Sequence, residues 1–363
     1  MSDRRRECCG RCRPAGAKPR PARVPALLAV LVLGVALLWT PPRAGAQNIG
    51  DLFRRVNPSV VVIRAKGTDV ETSGLTRFTE TGSGVLISTD GKIMTAAHVV
   101  HSMDEVSVEF LSGETVPAKV ISSEPAADLS LLKLQRVPPG AKVATLADSD
   151  TVRVGDPVII IGAPYGLSHS MSAGWISARW PANSVYRAMP LAEFLQTNAT
   201  INTGNSGGPM FDMAGTVIGI VSHNISKSGG SEGLGFVVSI NTAKKLLLER
   251  PSFWSGLEGR LISGPIAQIL NVPEPQGYLV KSVAKGSVGD AIGLIGGAVL
   301  ATIMGEHLVV GGDIILKVQG IPVGEASDHR RVRDILDSVP PGGTFTMTVL
   351  RLGKVLELKG RHP

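Results

Sequence analysis

Short apolar runs separated by turn-forming residues dominate the chain from Val60 onward, and this pattern restricts the fold more than any other feature. GVLIS and KIMTAA lie on either side of Thr89-Asp90-Gly91, a hairpin signal. EVSVEF alternates apolar and polar residues, and LSLLKL, PVIIIGAP and TVIGIVS follow at similar spacing. The first helix-like stretch of this region is NTAKKLLLER, which ends at Pro251. Strands at this spacing without intervening helices predict an all-β barrel or sandwich.

Beyond Pro251 the pattern changes to a mixture of strands and short helices. GYLVKSV is typical of a strand, GGDIILKVQGIPV of a hairpin, GSVGDAIGL of a short helix, and residues 327–339 of an amphipathic helix. TFTMTVLRLGKVLELKG predicts a closing pair of strands. A unit of about a hundred residues has an ordinary domain size. We therefore predict a leader over residues 1–46, a first domain over 47–250 and a second domain over 251–363.

The basic character of the chain is confined to its first residues. The formal net charge is +7, of which residues 1–23 supply +6 and Arg43 the remainder, so residues 47–363 sum to zero. A neutral body has no electrostatic reason to bind phosphates, and we expect no nucleic-acid partner.

The same leader predicts export. Its basic stretch precedes the apolar run Ala26–Trp39 and the small residues Ala44-Gly45-Ala46, an arrangement typical of a secretory signal cleaved after Ala46. The apolar segment 24–40 also reaches the lower end of a membrane span, about 17 residues, so a retained inner-membrane anchor is the alternative. All three cysteines lie in this leader, and the exported part cannot rely on disulfides.

Three local patterns supply the elements of nucleophilic catalysis. A serine attacks only when a base takes its proton, a carboxylate orients that base, and amide donors bind the oxyanion. MTAAHVV places His98 at the end of a predicted strand, and EPAADLSLLKL places Asp128 directly before one. INTGNSGGPMF places Ser206 among three glycines.

TAAHVV, DLSLLKL and NTGNSGGPMF, in this order, resemble the chymotrypsin-fold serine proteases of the HtrA (Deg) type. TGSGVLIS, IGAPYGL and SGGSEGLGF agree with the same family, and the resemblance extends from about Ile49 to Pro363. It implies a mainly β protein, in which a chymotrypsin-like double β-barrel is followed by a small PDZ domain, itself a β-barrel or sandwich with two helices.

The resemblance also implies roles for individual residues. His98 would be the general base and acid, Asp128 its orienting carboxylate and Ser206 the nucleophile, while Gly204, Asn205 and Ser206 would form the oxyanion hole. No cofactor or metal is expected. His98 and His101 are three residues apart, but they lack the helical HExxH context of a zinc site.

Two binding sites follow from the same resemblance. Thr200, six residues before Ser206, would lie at the floor of the S1 pocket, with Val221 and Ser222 as walls, and cleavage would follow small or medium apolar residues. The predicted carboxylate loop of the PDZ domain consists of four consecutive residues, Trp254, Ser255, Gly256 and Leu257. A domain that only packs against the protease and regulates it is the alternative.

The family implies an exported, ATP-independent serine endopeptidase that degrades unfolded or damaged envelope proteins in the periplasm. It also implies a homotrimer built through the segment LFRRVNPSVVVI, and peptide C-termini as ligands of the PDZ domain. Two other possibilities stay open: a non-proteolytic chaperone or peptide-binding protein of the same fold, and an inactive relative that keeps the motifs.

Overall fold

The computed structural model describes residues 48–72, 74–186, 188–324 and 326–362 of the chain. The predicted leader, with its signal or anchor, lies outside the described residues. Within the part that is described, no helix is both long and apolar enough to cross a membrane.

The first six strands close into a barrel behind an N-terminal helix. Helix α1 spans Ile49–Val56 and begins at Asn48, whose side chain accepts a hydrogen bond from the Gly50 amide. The strands have the order β1-β2-β3-β6-β5-β4 around the barrel, and all neighbours are antiparallel. They are β1 Val60–Glu71, β2 Gly74–Leu86, β3 Lys92–Thr95, β4 Glu105–Glu109, β5 Thr115–Glu124 and β6 Leu129–Leu134. Helix α2, Ala97–Val100, follows β3, and 3₁₀ turns occupy Asn57–Ser59 and Pro125–Ala127.

A second six-stranded barrel follows, with the order β10-β11-β12-β9-β8-β7. Its strands are β7 Pro157–Gly162, β8 Ser170–Trp180, β9 Phe194–Thr197, β10 Pro209–Phe211, β11 Val217–Asn224 and β12 Gly235–Ser239. Two further 3₁₀ turns lie at Ser149–Thr151 and Pro164–Gly166. Helix α3, Ile240–Lys244, continues into a π turn over Lys245–Glu249. The predicted double β-barrel is confirmed.

Apolar residues on both faces of the strands explain how the barrels are filled and joined. Adjacent residues of a strand point to opposite faces. Leu86 packs inside the first barrel, whereas its neighbour Val85 packs in a cluster that also contains Ile159 and Phe194 of the second barrel. Since burying one such side chain contributes about 1.5–3 kcal/mol, this shared cluster holds the two barrels firmly together.

Residues beyond Pro251 form a mixed sheet with short helices. The sheet has the order β13-β14-β17-β19-β20, with β18 beside β17, and β15 and β16 form a separate hairpin. The strands are β13 Leu257–Ser263, β14 Gln276–Val283, β15 Val299–Ile303, β16 Glu306–Val310, β17 Ile314–Val318, β18 Ile321–Pro322, β19 Thr344–Arg351 and β20 Lys354–Arg361. The helices are α4 Gly264–Ile269, α5 Val288–Ala291 and α6 Ala326–Asp337. Helix α6 corresponds to the predicted amphipathic helix, whereas the β15–β16 hairpin was not predicted.

The side chains of Trp254 and Arg333 attach this C-terminal region to the first barrel. Trp254 packs against the first-barrel core. Arg333 of α6 forms an ion pair with Glu124, and both side chains are nearly buried, at 10% and 4% exposure. Glu124 also accepts from the Ala126 amide at the start of the turn that leads to Asp128. The C-terminal region therefore contacts the segment that carries the predicted catalytic carboxylate.

Candidate active site

His98 and Asp128 are brought together by neighbouring strands of the first barrel. Helix α2 follows β3 directly, and its buried residues Val99 and Val100 leave His98 facing outward into a cleft. Asp128 ends a 3₁₀ turn in the left-handed conformation, with φ 55° and ψ 43°, a region in which aspartate is enriched. Because β6 starts at the next residue and pairs with β3, the two side chains meet.

The contact between the two side chains fixes the state of the imidazole. His98 Nδ1 lies 2.9 Å from each carboxylate oxygen of Asp128, and the His98 backbone amide donates to Oδ1 over 3.0 Å. A carboxylate only accepts, so Nδ1 carries the proton and donates it to Asp128. The Nε2 atom is left as the basic nitrogen, the state required for general-base catalysis.

The pKa values of the pair are shifted in opposite directions. Desolvation of the His98 ring lowers its pKa, but the hydrogen bond and the charge of Asp128 outweigh this, and the pKa lies above its ordinary value. Burial of Asp128 raises its pKa. The hydrogen bonds from His98 and Ser222 lower the pKa by more than burial raises it, so the net shift is downward. Asp128 is therefore ionised when His98 titrates.

Ser222 is part of this arrangement, a role that the sequence did not predict. Its side chain is 1% exposed, and its hydroxyl donates to Asp128 Oδ2. The register between β11 and β12 shifts between Val221 and His223, so Ser222 occupies a β-bulge. A bulge redirects a side chain, and here it directs the Ser222 hydroxyl toward the carboxylate. Ser222 thus stabilises the charge of Asp128.

Ser206 approaches from the second barrel, in the loop before β10. Its hydroxyl donates to the Ser222 carbonyl over 3.2 Å, and its carbonyl accepts from the Ser83 amide over 2.8 Å. Gly207 has φ +82°, and a Cβ atom there would lie 2.1 Å from Thr95 Oγ1, so only glycine fits. Ser206, His98 and Asp128 line one cleft of about 730 Å³.

In the residues described here, the Ser206 hydroxyl makes no hydrogen bond to His98. The hydroxyl instead occupies a position against the Ser222 carbonyl. Hydrogen bonds of a catalytic serine are often long or misaligned without substrate and form in the complex. The structure therefore brings the three predicted residues into one cleft without closing the serine–histidine hydrogen bond.

The predicted oxyanion hole has two amide donors available. Gly204 has φ +99°, and a Cβ atom would lie 2.1 Å from the Ala163 carbonyl oxygen, which makes glycine necessary. No described residue accepts a hydrogen bond from the amides of Gly204 or Ser206, whereas the Asn205 amide donates to the Asn202 carbonyl over 3.0 Å. Two amides can therefore bind an oxyanion, and Asn205 contributes only the connection between them.

Two of the predicted S1 residues lie outside the cleft. Thr200 is exposed and lines a separate cavity of about 360 Å³, because the chain alternates there between buried Ala199, exposed Thr200 and buried Ile201. Val221 is fully buried inside the second barrel. The cleft beside Ser206 is lined instead by residues 201–203, so the predicted floor and one predicted wall are corrected.

Comparison with known proteins agrees with this geometry. Residues 82–220 match the family described as Trypsin-like peptidase domain. A probable periplasmic serine endoprotease, DegP-like, from Ectopseudomonas mendocina (strain ymp) is 34% identical over 262 residues, which are 70% of this chain and 54% of that protein. The periplasmic pH-dependent serine endoprotease DegQ of Escherichia coli (strain K12) is 29% identical over 341 residues, 87% of this chain and 70% of that protein. The chain belongs to the HtrA/DegP-like serine protease family.

Solved structures of HtrA-type proteases extend the likeness beyond the barrels. The HtrA-type protease AlgW with tripeptide has a TM-score of 0.51 and 29% identity, covering 86% of this chain and 96% of that one. The same protease with decapeptide has a TM-score of 0.51 and 27% identity, covering 86% and 98%. By contrast, the chain spans about half the length of the DegP-like relatives that it matches.

The predicted carboxylate loop of this HtrA-type chain contacts the first barrel. The Trp254 indole donates to the His101 carbonyl over 2.6 Å, and Ser255 Oγ lies 3.2 Å from His101 Nε2. Gly256 has φ +68°, and its carbonyl accepts from the Ala284 amide over 2.8 Å. Ser255 and Leu257 also line a groove of about 550 Å³ between β13 and α6. The loop thus borders a groove while its side chains attach it to the barrel.

We expect hydrolysis to fall on acidification through a pH above 6.5. A neutral His98 is required in the free enzyme, and its ordinary pKa is about 6.5. Since Asp128 raises the pKa of His98 above that value, protonation already removes the base at a correspondingly higher pH. The measurement is kcat/KM against pH for a peptide substrate. A rate that stays constant well below pH 6 would contradict a histidine base.

Proposed function

We propose that this chain is an exported, ATP-independent serine endopeptidase of unfolded or damaged envelope proteins. The observation that carries the proposal is the single cleft in which Ser206 of the second barrel lies beside the His98–Asp128 pair of the first. The relatives reported above are named periplasmic serine endoproteases, which supports both the activity and the compartment.

The mechanism follows from the roles that the geometry supports. His98 Nε2 takes the proton of Ser206 as Oγ attacks the peptide carbonyl, and the amides of Gly204 and Ser206 bind the oxyanion. Asp128 holds Nδ1–H and stabilises the imidazolium that forms. His98 then returns the proton to the leaving amine, and water repeats the sequence on the acyl-enzyme. No step requires a metal or cofactor.

Casein digestion tests this function, because casein is a largely unfolded substrate. We expect the protein without its leader to digest casein without ATP, and a phosphonofluoridate to label Ser206 alone and stop digestion. A chaperone of the same fold would bind casein without cleaving it. The intact His98, Asp128 and Ser206 favour the protease over this second candidate.

We further propose that the C-terminal region is a PDZ domain that binds peptide C-termini. Strand β13 has a sheet partner, β14, on one side, and the groove lined by Leu257, Tyr278 and Val332 runs along its other side. A peptide can add there as a further strand, with its last apolar side chain in the groove.

The resemblance to the family also suggests a homotrimer. In the segment proposed to form it, Leu52 and Val56 are buried in the chain's own core, whereas Ile49, three residues before the segment, is exposed.

Peptide binding is measured on the Ser206→Ala protein, which cannot digest the ligand. We expect a peptide with an apolar C-terminal residue to bind in the micromolar range, on the order of −8 kcal/mol. Amidation of its terminus removes a charged acceptor and should weaken binding by about 1.5–3 kcal/mol. Equal affinity for acid and amide in a calorimetric titration would exclude carboxylate capture and leave a packing role for the domain.

A further inference from the structure

His223 lies beside the catalytic carboxylate, although the mechanism above gives it no role. Its ring stacks on Phe236 with centroids 5.3 Å apart and an interplanar angle of 10°. The rings of Tyr186 and Phe194 meet it edge-on, at 4.1 Å and 5.5 Å. Three aromatic side chains therefore hold the plane of the imidazole, and this leaves little freedom to rotate it.

The orientation of the ring places one nitrogen against Ser222. His223 Nδ1 lies 2.9 Å from Ser222 Oγ, and that hydroxyl is in turn bonded to Asp128 Oδ2. A hydroxyl has one proton to donate, and an ionised carboxylate can only accept. The proton of Ser222 therefore goes to Asp128, and the His223–Ser222 hydrogen bond requires a proton on Nδ1.

The surroundings of His223 support this tautomer. Its Nε2 atom is buried and has no hydrogen-bond partner in the described part of the chain. Burial lowers the pKa of His223 to about 4, so the ring is neutral near pH 7 and carries a single proton. That proton lies on Nδ1, where Ser222 Oγ accepts it in a hydrogen bond, and Nε2 is unprotonated.

We propose that His223 is a positioning residue of the catalytic triad, acting through Ser222 on Asp128. This inference rests on the proposed protease function. The Nδ1–H group of His223 occupies the acceptor side of the Ser222 hydroxyl, so the hydroxyl proton cannot turn away from Asp128. Hydrogen bonds in such a chain also polarise one another, which strengthens the bond that Ser222 donates.

Loss of the His223 donor has two consequences for His98. The Ser222 hydroxyl is free to rotate, so Asp128 loses part of its orientation and the rate of the chemical step falls. A less stabilised carboxylate also attracts the His98 proton more strongly, which raises the pKa of His98. The titratable or charged groups around His98 are Asp128, Glu80 and His223, and those around His223 are Asp128, His98 and Tyr186.

The test compares two substitutions with a matched control. His223→Phe keeps an aromatic ring against Phe236 but removes the donor, whereas His223→Asn keeps an N–H group near the position of Nδ1. We expect His223→Phe to lower kcat about tenfold, the usual effect of one hydrogen bond, and to change KM by no more than about twofold. The acidic limb of its kcat/KM profile should lie at higher pH than that of the parent. His223→Asn should have a higher kcat than His223→Phe, and the acidic limb of its pH profile should lie where that of the parent lies. His307→Phe, at an exposed position of β16, should match the parent in both kcat and pH profile.

Different results would contradict the positioning role of His223 and the proposed protease function. An unchanged kcat and pH profile in His223→Phe would reduce His223 to a packing role while proteolysis stands. If the parent protein digests nothing, or Ser206→Ala digests equally well, the proposed function fails instead. Nitrogen-detected NMR of the His223 ring in Ser206→Ala protein then decides without activity. A proton on Nδ1 supports the inference, and a proton on Nε2 overturns it, also where His223→Phe does not fold.

Discussion

Ser206→Ala should lower kcat for casein or a peptide by about 10⁶-fold and leave the fold intact. Loss of a serine nucleophile removes the covalent pathway, and losses of this size are measured in other serine proteases. The Ser206 hydroxyl donates one hydrogen bond, of 3.2 Å, to the Ser222 carbonyl. Its removal should therefore change the free energy of unfolding by no more than about 1 kcal/mol.

Activity and stability are measured together, by single-turnover hydrolysis and by denaturant unfolding. Ser112→Ala is the matched control, because Ser112 lies in an exposed turn outside the cleft and should keep the parent rate. Full hydrolysis by Ser206→Ala would contradict the serine-protease mechanism. A loss of hydrolysis together with a loss of folding would instead assign Ser206 a structural role.

Asp128→Asn should lower kcat by about 10⁴-fold, the effect of the equivalent change in the trypsin fold. The carboxylate accepts from the His98 amide, His98 Nδ1 and the Ser222 hydroxyl. An amide has one acceptor oxygen and one donor group, so it cannot satisfy all three donors as two carboxylate oxygens do. The imidazolium that forms during the reaction also loses its counter-charge.

The pH profile distinguishes this electrostatic role from simple misfolding. Asp128 raises the pKa of His98 against the opposing effect of desolvation, so Asp128→Asn should move the acidic limb of kcat/KM to lower pH. Asp150→Asn is the control, since that exposed carboxylate pairs with Arg179 and lies outside the cleft. Asp150→Asn should have the same rate as the parent and the same acidic limb of kcat/KM against pH. An acidic limb that does not move in Asp128→Asn would argue against this role of Asp128.

The positions of His98, Asp128 and Ser206 could be predicted because each lies in a recognisable local pattern. His98 ends a strand, Asp128 directly precedes one, and Ser206 lies among glycines whose positive φ values the loop requires. The spacing of short strands and turns, which predicts an all-β barrel or sandwich, is also a local feature. Features of this kind depend on neighbouring residues and on a period of two, so they can be recognised in the sequence alone.

Only the tertiary structure decided what surrounds the triad. The bulge at Ser222 breaks the alternation of β11, and no sequence pattern indicates that the hydroxyl turns to Asp128, 94 residues earlier. The same holds for His223, whose tautomer depends on Ser222, and for Thr200, which faces a different cavity. The Ser222–Asp128 contact joins the two barrels, and the His223 ring packs against Phe194 of β9 and Phe236 of β12. Their geometry follows from packing between distant segments, whereas the sequence by itself determined the strands, the turns and the three reactive side chains.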